Sequence, residues 1–220
     1  MTKSALFSGT RYLKIQEKTR DFLNQHEDFL SERTAKSPRA VGDAVQGLLS
    51  ENFRNILGPL CAKYWADFAR RAMADLAFED QEGLYYCVDV KTHRLSTKFN
   101  MPALTSVERL ADLYESDSSF FVILMITYDV VGSRVNVERV RFVPIEFLDW
   151  DCLRIGALGK GQIQIANSNI ININTHNSRK KWMLTLCDNL FEFYPREIGK
   201  IEERIEYFRK VKQRWEQRPE

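Results

Sequence analysis

The sequence contains little of what marks disulfide-rich, metal-cluster or membrane proteins. Only four cysteines and three histidines are present, and the cysteines (Cys61, Cys87, Cys152 and Cys187) form no C-x-x-C motif. This spacing argues against a disulfide scaffold and against a zinc finger. No apolar run approaches the roughly 20 residues that span a bilayer, and the first residues lack the apolar stretch of a secretory signal. These absences predict a cytoplasmic protein with reduced thiols and no membrane contact.

The net charge is low as well, because 32 basic residues stand against 30 acidic ones. The distribution is uneven, however. Residues 90–107 and 152–187 contain no Asp or Glu, while both stretches carry Lys and Arg. The absence of carboxylates from two long stretches is typical of a surface that meets a polyanion. The alternative is that both stretches are strands and loops, in which acids are depleted anyway.

Length and periodicity together predict one layered domain. A chain of 220 residues with no internal repeat fits a single hydrophobic core. Helices are predicted over 11–30, 37–57, 60–72, 178–194 and 196–216, and extended segments over 84–90, 120–130, 134–145 and 161–174. Helices on both sides of a run of strands indicate an α/β or α+β domain. Within it, residues 1–36 form an N-terminal helical arm, 37–195 the core and 196–220 a C-terminal helix.

Two acidic residues are placed where they could meet. Asp89 and Lys91 lie at the end of the apolar run 84–90, where the period of two of a strand points both side chains to one face. A short strand after Asp75, turning at 80–83, would return as a hairpin and bring Asp75 beside Asp89. Two carboxylates that close repel each other unless a cation lies between them. Such oxygen ligands suit Mg²⁺, and a lysine beside them suits the polarisation of a water or a phosphate. The alternative is an ordinary ion pair between Asp89 and Lys91 at a strand end.

This spacing resembles that of the PD-(D/E)xK nucleases, which carry an acid, a gap and then acid-x-Lys on adjacent strands. Over roughly residues 37–215 the chain is similar to type II restriction endonucleases of the HincII and EcoRV branch. The similarity rests on Ala74-Asp75-Leu76, on residues 88–92, on Asn100-Met101-Pro102 and on the order of the later segments through 162–165 and 178–182. Ala74 stands where the signature has a proline.

The resemblance implies a restriction endonuclease-like fold, in which a central mixed sheet is flanked by helices, and it implies roles for the site residues. Asp75 and Asp89 would be catalytic and would ligate Mg²⁺ with the carbonyl of Val90, while Lys91 would orient or activate the attacking water. Members of the superfamily often carry a further acid on the preceding helix. Asp43 and Glu51 are the candidates here, and the alternative for each is a solvated helix face.

The resemblance and the residue types also suggest where DNA would bind. In the resembling enzymes the region after the catalytic strand approaches the bases, and amide side chains read base edges whereas Lys and Arg hold phosphates. Basic residues at the start of the helix that begins near 179 oppose its dipole, which makes more sense if phosphates lie nearby. The predicted DNA contacts are Lys98, Asn100, Gln162, Gln164, Asn167, Asn169, Asn172, Asn174, Arg179 and Lys180. A merely polar edge strand is the alternative for 162–174, and His93 is expected to be a solvated loop residue.

Taken together, the resemblance implies Mg²⁺-dependent cleavage of both strands of a specific, palindromic DNA sequence, and a separate cognate DNA methyltransferase. One cluster of Asp75, Asp89 and Lys91 serves one scissile phosphate, so cutting both strands needs a homodimer. Apolar stripes on the N-terminal helices and on the C-terminal helix are both candidates for its surface. Two alternatives stay open: a DNA-repair or nicking endonuclease of the same fold, and a sequence-specific DNA-binding protein without catalysis.

Overall fold

The computed structural model describes residues 4–26, 30–66, 73–157 and 160–219. The helices are α1 (Arg11–Gln25), α2 (Glu32–Ala35), α3 (Pro38–Leu57), α4 (Val107–Leu113) and α5 (Arg179–Glu216). The strands are β1 (Cys61–Trp65), β2 (Leu76–Asp80), β3 (Tyr85–Arg94), β4 (Ala103–Ser106), β5 (Ser119–Val131), β6 (Arg134–Pro144), β7 (Leu153–Gly156) and β8 (Gln162–Ile165). The described residues form one α/β domain in which helices flank a mixed central sheet, and this confirms the coarse prediction from the sequence.

The central sheet has five strands in the order β1-β2-β3-β5-β6. Only β3 and β5 pair in parallel, and the other neighbours are antiparallel. The first ten residues of β5 are buried, as expected of a strand that is covered on both faces. A smaller antiparallel sheet, in the order β4-β8-β7, lies beside it. Two of the candidate catalytic residues, Asp89 and Lys91, therefore lie on β3, the middle strand of the larger sheet.

The hairpin of β2 and β3 forms where the sequence predicts it. The carboxylate of Asp80 accepts the N–H groups of Glu82 and Leu84, each at 2.9 Å, and Gly83 adopts φ +78°, which favours glycine. This turn sets the register in which Leu76 lies opposite Val88. Because Asp75 directly precedes β2, the same register carries it to the middle of β3.

Helix α3 covers this part of the sheet and has clear signals at both ends. The Ser37 side chain accepts the Ala40 N–H, Pro38 occupies the first turn, and the helix ends at Gly58 with φ +58°. At Gly42 an added Cβ would lie 2.8 Å from the Thr92 hydroxyl oxygen on β3. Only a residue without a side chain lets the helix approach β3 this closely, so Gly42 brings α3 next to the candidate site.

The predicted helix over 60–72 is wrong in its first half. Residues Cys61–Trp65 form β1, which pairs antiparallel with β2, and Lys63 Nζ lies 2.9 Å from Glu79 Oε1 across that pair. The apolar spacing of this segment fits both the period of a helix and that of a strand. The exposed edge of β2 favours the strand because it offers backbone hydrogen-bond partners to the segment. The rest of this predicted helix, residues 67–72, lies outside the described residues.

The two predicted C-terminal helices are one helix of 38 residues, α5, with Pro195 inside it. Proline removes one intrahelical hydrogen bond at a cost of about 3 kcal/mol. The carbonyl left without its partner belongs to Phe191, whose side chain is 73% exposed, so water can reach this side of the helix. The helical period continues on both sides of Pro195, which explains why the helix does not end there.

Two strand boundaries also differ from the sequence prediction. Strand β3 continues three residues past Lys91, because its parallel pairing with β5 runs on to Arg94 opposite Tyr128. The predicted extended segment 161–174 is a strand only over Gln162–Ile165. Beyond it the chain turns and forms one isolated bridge, between Ile173 and Leu148. The expected long strand with a continuous amide face is therefore not formed.

Candidate active site

Asp75 sits at the entry to β2, held on both carboxylate oxygens. Its backbone N–H donates to the Val88 carbonyl at 3.0 Å, which continues the β2–β3 ladder by one residue. Its Oδ2 accepts the N–H of Val90 at 2.7 Å, and its Oδ1 accepts Nε2 of Gln46 from α3 at 2.6 Å. Asp75 is therefore tied to the backbone between Asp89 and Lys91, as the predicted hairpin requires.

Asp89 and Lys91 project from β3 to one face, two residues apart. Lys91 Nζ donates to Asp89 Oδ1 at 2.7 Å. The Asp89 side chain is 7% exposed and the Lys91 side chain 22% exposed, so the carboxylate lies below the ammonium group. Asp89 Oδ2 is buried and has no hydrogen-bond partner among the described residues. A buried carboxylate oxygen without a partner is costly, and each such atom needs an explanation.

The electrostatics of the pair explain why Asp89 is unusual. The pKa of Asp89 is raised from 3.8 to about 7: burial raises it most, the charge and hydrogen bond of Lys91 lower it, and the negative charge of Asp75 raises it. Loss of solvent is the largest of these effects, so one lysine does not compensate the buried charge. When both Asp75 and Asp89 are ionised, the Lys91 ammonium group therefore does not neutralise the negative charge of the two carboxylates.

A divalent cation fits this deficit. The buried, unpartnered Asp89 Oδ2 and the nearby Asp75 carboxylate supply hard oxygen donors of the kind that Mg²⁺ prefers. No group of three or more His, Cys, Asp or Glu side chains within the described ranges could hold a metal. Two carboxylates nevertheless suffice for Mg²⁺, which is commonly held by one or two of them and completed by water and substrate phosphate.

Sequence reasoning missed Gln46, whose side chain bonds to Asp75 as that of Lys91 bonds to Asp89. The resemblance implied a further acid on the preceding helix, but the two candidates, Asp43 and Glu51, are exposed and form no hydrogen bond to Asp75 or Asp89. Gln46 lies one turn from Gly42, at the close approach of α3 to β3. The structure therefore brings an amide, not a carboxylate, from this helix to the pair.

The loop after β3 and the segment after β8 lie side by side, although the sequence separates them by more than sixty residues. The Asn100 carbonyl accepts the Ser168 N–H at 2.9 Å, and the Pro102 carbonyl accepts the Ile165 N–H at 3.1 Å. Both stretches belong to the regions without acidic residues. Their contact joins two predicted DNA-binding segments into one surface at the end of β3.

Asn169 is the side chain that holds these two segments together. Its Nδ2 donates to the carbonyls of Thr97 at 3.3 Å and Lys98 at 3.1 Å. Its Oδ1 lies 3.0 Å from Nε2 of His93. His93 is only 2% exposed and ends the same face of β3 that carries Asp89 and Lys91, so the expectation of a solvated loop histidine is wrong.

Most of the other predicted amide contacts are occupied by the protein itself. Gln164 is buried and accepts from Arg154, Asn167 accepts the Asn169 N–H, Asn172 donates to Asp151, and Asn174 donates to Asp149 and Asn177. The side chains of Asn100 and Gln162 make no hydrogen bond to another described residue. Within the predicted set, these two amides are the ones available to bases.

The two basic residues at the start of α5 have different environments. Arg179 is buried, its Nε donates to Glu146 Oε1 at 3.1 Å, and its guanidinium carbon lies 4.1 Å from the Tyr114 ring centroid. Arg179 therefore anchors α5, while its Nη2 has no hydrogen-bond partner among the described residues, so the phosphate contact predicted for it stays a prediction. Lys180 is exposed and remains a candidate for a phosphate contact, like the exposed Lys98.

No protein-family model matches this sequence, and no curated protein is similar to it. None of the helices in the described ranges is both long and apolar enough to cross a membrane. Function is therefore inferred from the side chains and their geometry.

Proposed function

We propose that this protein is a Mg²⁺-dependent type II restriction endonuclease that cuts both strands of a specific DNA duplex. The observation that carries the proposal is the buried, unpartnered Asp89 Oδ2 beside Asp75 and under the Lys91 ammonium group. A purely structural ion pair would place the partner of Asp89 so that both carboxylate oxygens are satisfied. A site that binds a cation between two carboxylates leaves an oxygen available for it.

In this proposal Asp75, Asp89 and the Val90 carbonyl hold Mg²⁺. When bound, Mg²⁺ supplies stabilisation of the charge on the scissile phosphate and lowers the pKa of a water molecule. Lys91 contributes through its ammonium group, which is held by Asp89 at 2.7 Å and can donate a further hydrogen bond to a water or a phosphate oxygen. Gln46 and the Val90 N–H fix the orientation of the Asp75 carboxylate.

The DNA would lie across the joined surface formed by the loop at 95–102 and the segment at 165–169. These residues contain no carboxylate that would repel phosphates. The loop follows β3 directly, so bases read there would be in fixed register with the Asp89 and Lys91 side chains. Asn100 and Gln162 would read base edges, and Lys98 and Lys180 would hold phosphates.

Two copies of the chain are needed for the proposed reaction, since the described residues contain one such acid pair and each pair serves one phosphate. A two-fold homodimer matches a palindromic site. The separate cognate DNA methyltransferase stays an expectation from the resemblance, because nothing within this chain bears on it.

The decisive experiment is incubation of the purified protein with bacteriophage DNA and Mg²⁺, with EDTA as the control. Discrete fragments would support the proposal, and nicked circles alone would favour a repair or nicking endonuclease. Sequence-specific retardation without any cleavage in Mg²⁺ would favour a DNA-binding protein. If the protein neither binds nor cleaves DNA of varied sequence, all three hypotheses are overturned.

Gln46→Ala is expected to raise the Mg²⁺ concentration for half-maximal cleavage by about 10–100-fold, the usual cost of removing a group that orients a metal ligand. The variant should retain its affinity for DNA in Ca²⁺, because Gln46 contacts Asp75 and not the proposed DNA surface. Asn52→Ala is the matched control, since it also removes an amide from α3 but one bonded only to the Leu48 carbonyl. An unchanged Mg²⁺ dependence in Gln46→Ala would show that the amide does not orient Asp75.

Asn100→Ala and Gln162→Ala are expected to relax specificity, at about 1–3 kcal/mol for each bidentate pair of hydrogen bonds to a base that is removed. Lys98→Ala and Lys180→Ala should instead weaken binding to cognate and random DNA equally and should reduce the salt dependence. Competition binding in Ca²⁺ at several salt concentrations separates the two effects. Equal reductions in affinity for both DNAs in the amide variants would contradict the assignment of base recognition to these residues.

A further inference from the structure

The second half of α5 extends beyond the body of the domain. All buried residues of this helix (Arg179, Trp182, Leu186 and Phe193) belong to its first 15 positions. Residues 200–210 are exposed on every side, including Ile201, Ile205 and Phe208, at 58%, 51% and 59%. A solitary helix with large apolar side chains in water is unfavourable, because helical stability in proteins comes mainly from packing of such a face.

The exposed side chains form one seam along the whole helix. Their spacing alternates between three and four residues, which is the heptad pattern of a coiled coil. The seam positions are Leu184, Cys187, Phe191, Tyr194, Ile198, Ile201, Ile205, Phe208, Lys212 and Trp215. All of them are exposed, although eight are large hydrophobic residues. At 1.5 Å per residue the seam is about 46 Å long.

We propose that this seam is the interface between two copies of the chain, packed as an antiparallel coiled coil. The inference is drawn from α5 alone and does not depend on the proposed DNA cleavage. The charges beside the seam disfavour the parallel arrangement. In a parallel pair the residue directly before the first seam residue of each heptad, such as Glu197 before Ile198, faces the residue five positions later in the partner. That would place Glu197 against the partner's Glu202 and Arg204 against the partner's Arg209, so both contacts would be repulsive.

An antiparallel pair in which Ile198 faces the partner's Ile201 reverses this. Residues that directly precede a heptad's first seam residue then face the corresponding residues of the partner, and residues that directly follow its second seam residue likewise face each other. Glu197 lies near the partner's Arg204, and Asp188 near the partner's Arg209. The apolar Leu190 lies near the partner's Val211. Every flanking pair of charges is attractive in this register.

Other antiparallel registers are worse. A shift by one heptad in one direction places Arg204 against the partner's Arg204 and Glu202 against the partner's Glu202. In the other direction it places Glu197 against the partner's Glu197 and Asp188 against the partner's Glu202. A shift by two heptads restores opposite charges but leaves Leu184, Phe191 and Tyr194 uncovered. The register with Ile198 against Ile201 covers the entire seam from Leu184 to Trp215. It is therefore the register that charge and apolar coverage select together.

The surface is tested first by light scattering at micromolar concentration. The unmodified chain is expected to be a dimer, and Ile201→Lys with Ile205→Lys is expected to be a monomer whose domain still unfolds cooperatively, because both residues are exposed and lie beyond Phe193, the last buried residue of α5. Tyr207→Lys is the matched control. It adds one lysine, against two in the seam variant, to the same stretch of helix at a residue that is 57% exposed but off the seam, so the dimer should persist. A dimer that survives Ile201→Lys with Ile205→Lys would overturn the proposal.

The orientation is tested by a disulfide. In the proposed register Cys187 faces the partner's residue 212, at the short backbone separation that a disulfide needs. Lys212→Cys should therefore yield a covalent dimer on mild oxidation, and adding Cys187→Ser should abolish it. The other three cysteines are buried and should not interfere. A cross-link that persists with Cys187→Ser would indicate a parallel pair, and a monomer that floats with anionic vesicles would indicate a membrane surface; either result would overturn the proposal.

Discussion

Lys91→Ala is expected to lower DNA cleavage by about 10²–10⁴-fold, the range that a positioned proton-transfer group contributes. Its ammonium is the one basic group hydrogen-bonded to Asp89 in the described part of the chain, and its side chain is 22% exposed, so substrate can reach it. Asp75→Asn and Asp89→Asn should each cost at least about 10²-fold, because even a group that only orients a metal ligand is worth 10–100-fold. Binding to cognate DNA in Ca²⁺ should persist in Lys91→Ala, since this variant keeps both carboxylates.

The matched control for Lys91→Ala is Lys63→Ala. Lys63 is also paired with an acid in the same sheet, at 2.9 Å from Glu79 Oε1, but it lies on the edge strand and its side chain is 61% exposed. Exposed pairs of this kind contribute about 0–1 kcal/mol to stability, so Lys63→Ala should cleave at the rate of the unmodified protein. Single-turnover cleavage with saturating Mg²⁺ measures the difference directly. A Lys91→Ala protein that cuts as fast as Lys63→Ala would contradict the proposed function.

Asp89→Asn is expected to stabilise the metal-free protein at pH 8, even though it inactivates it. The pKa of Asp89 is raised from 3.8 to about 7 by burial. Between these two values the unfolded chain is ionised while the folded carboxyl is protonated. The free energy of unfolding therefore falls as the pH rises from about 4 to 7 and loses no more above 7. At 1.36 kcal/mol per pH unit the full effect reaches about 4 kcal/mol, and this figure already includes the opposing effect of Lys91.

Denaturant unfolding in EDTA at pH 4.5 and pH 8 checks this expectation. The stability difference between Asp89→Asn and the unmodified protein should be small at the lower pH and should grow by a few kcal/mol at the higher pH. Mg²⁺ or Ca²⁺ at a hundred times its dissociation constant should then stabilise the unmodified protein by about 2.7 kcal/mol and leave Asp89→Asn unaffected. A difference that does not change with pH would show that the Asp89 carboxylate is not buried at a cost, and equal stabilisation of both proteins by the metal would exclude Asp89 as a ligand.

The hairpin that carries the candidate site was predictable from local signals. The apolar run before Asp89 marks a buried strand, the turn at 80–83 reverses the chain, and the period of two places Asp89 and Lys91 on one face. Each signal acts between residues that are close in sequence, where periodicity and turn chemistry decide the conformation. Helix α3 was predictable for the same reason, from Ser37 and Pro38 at its start and Gly58 at its end.

Elements whose form depends on distant partners were not predictable in this way. The segment Cys61–Trp65 becomes a strand because β2 offers it an edge, and α5 continues through Pro195 because water can reach the Phe191 carbonyl that loses its partner. The segment after Ile165 turns away from the sheet, and its amides bond to Asp149, Asp151 and the loop after β3. In each case tertiary contacts or solvent access outweigh a weak local preference.

The sequence by itself determined which chemical groups are available and which of them share a strand: Asp89 and Lys91 on one face, with Asp75 one hairpin away. Only the tertiary structure decided that Gln46 orients Asp75, that Asn169 ties the loop after β3 to the segment after β8, and that Arg179 is buried against Glu146. The physical reason is that strand and helix periods act over a few residues. Contacts between residues such as Gln46 and Asp75 depend on how whole elements pack, and here they depend on the absence of a side chain at Gly42.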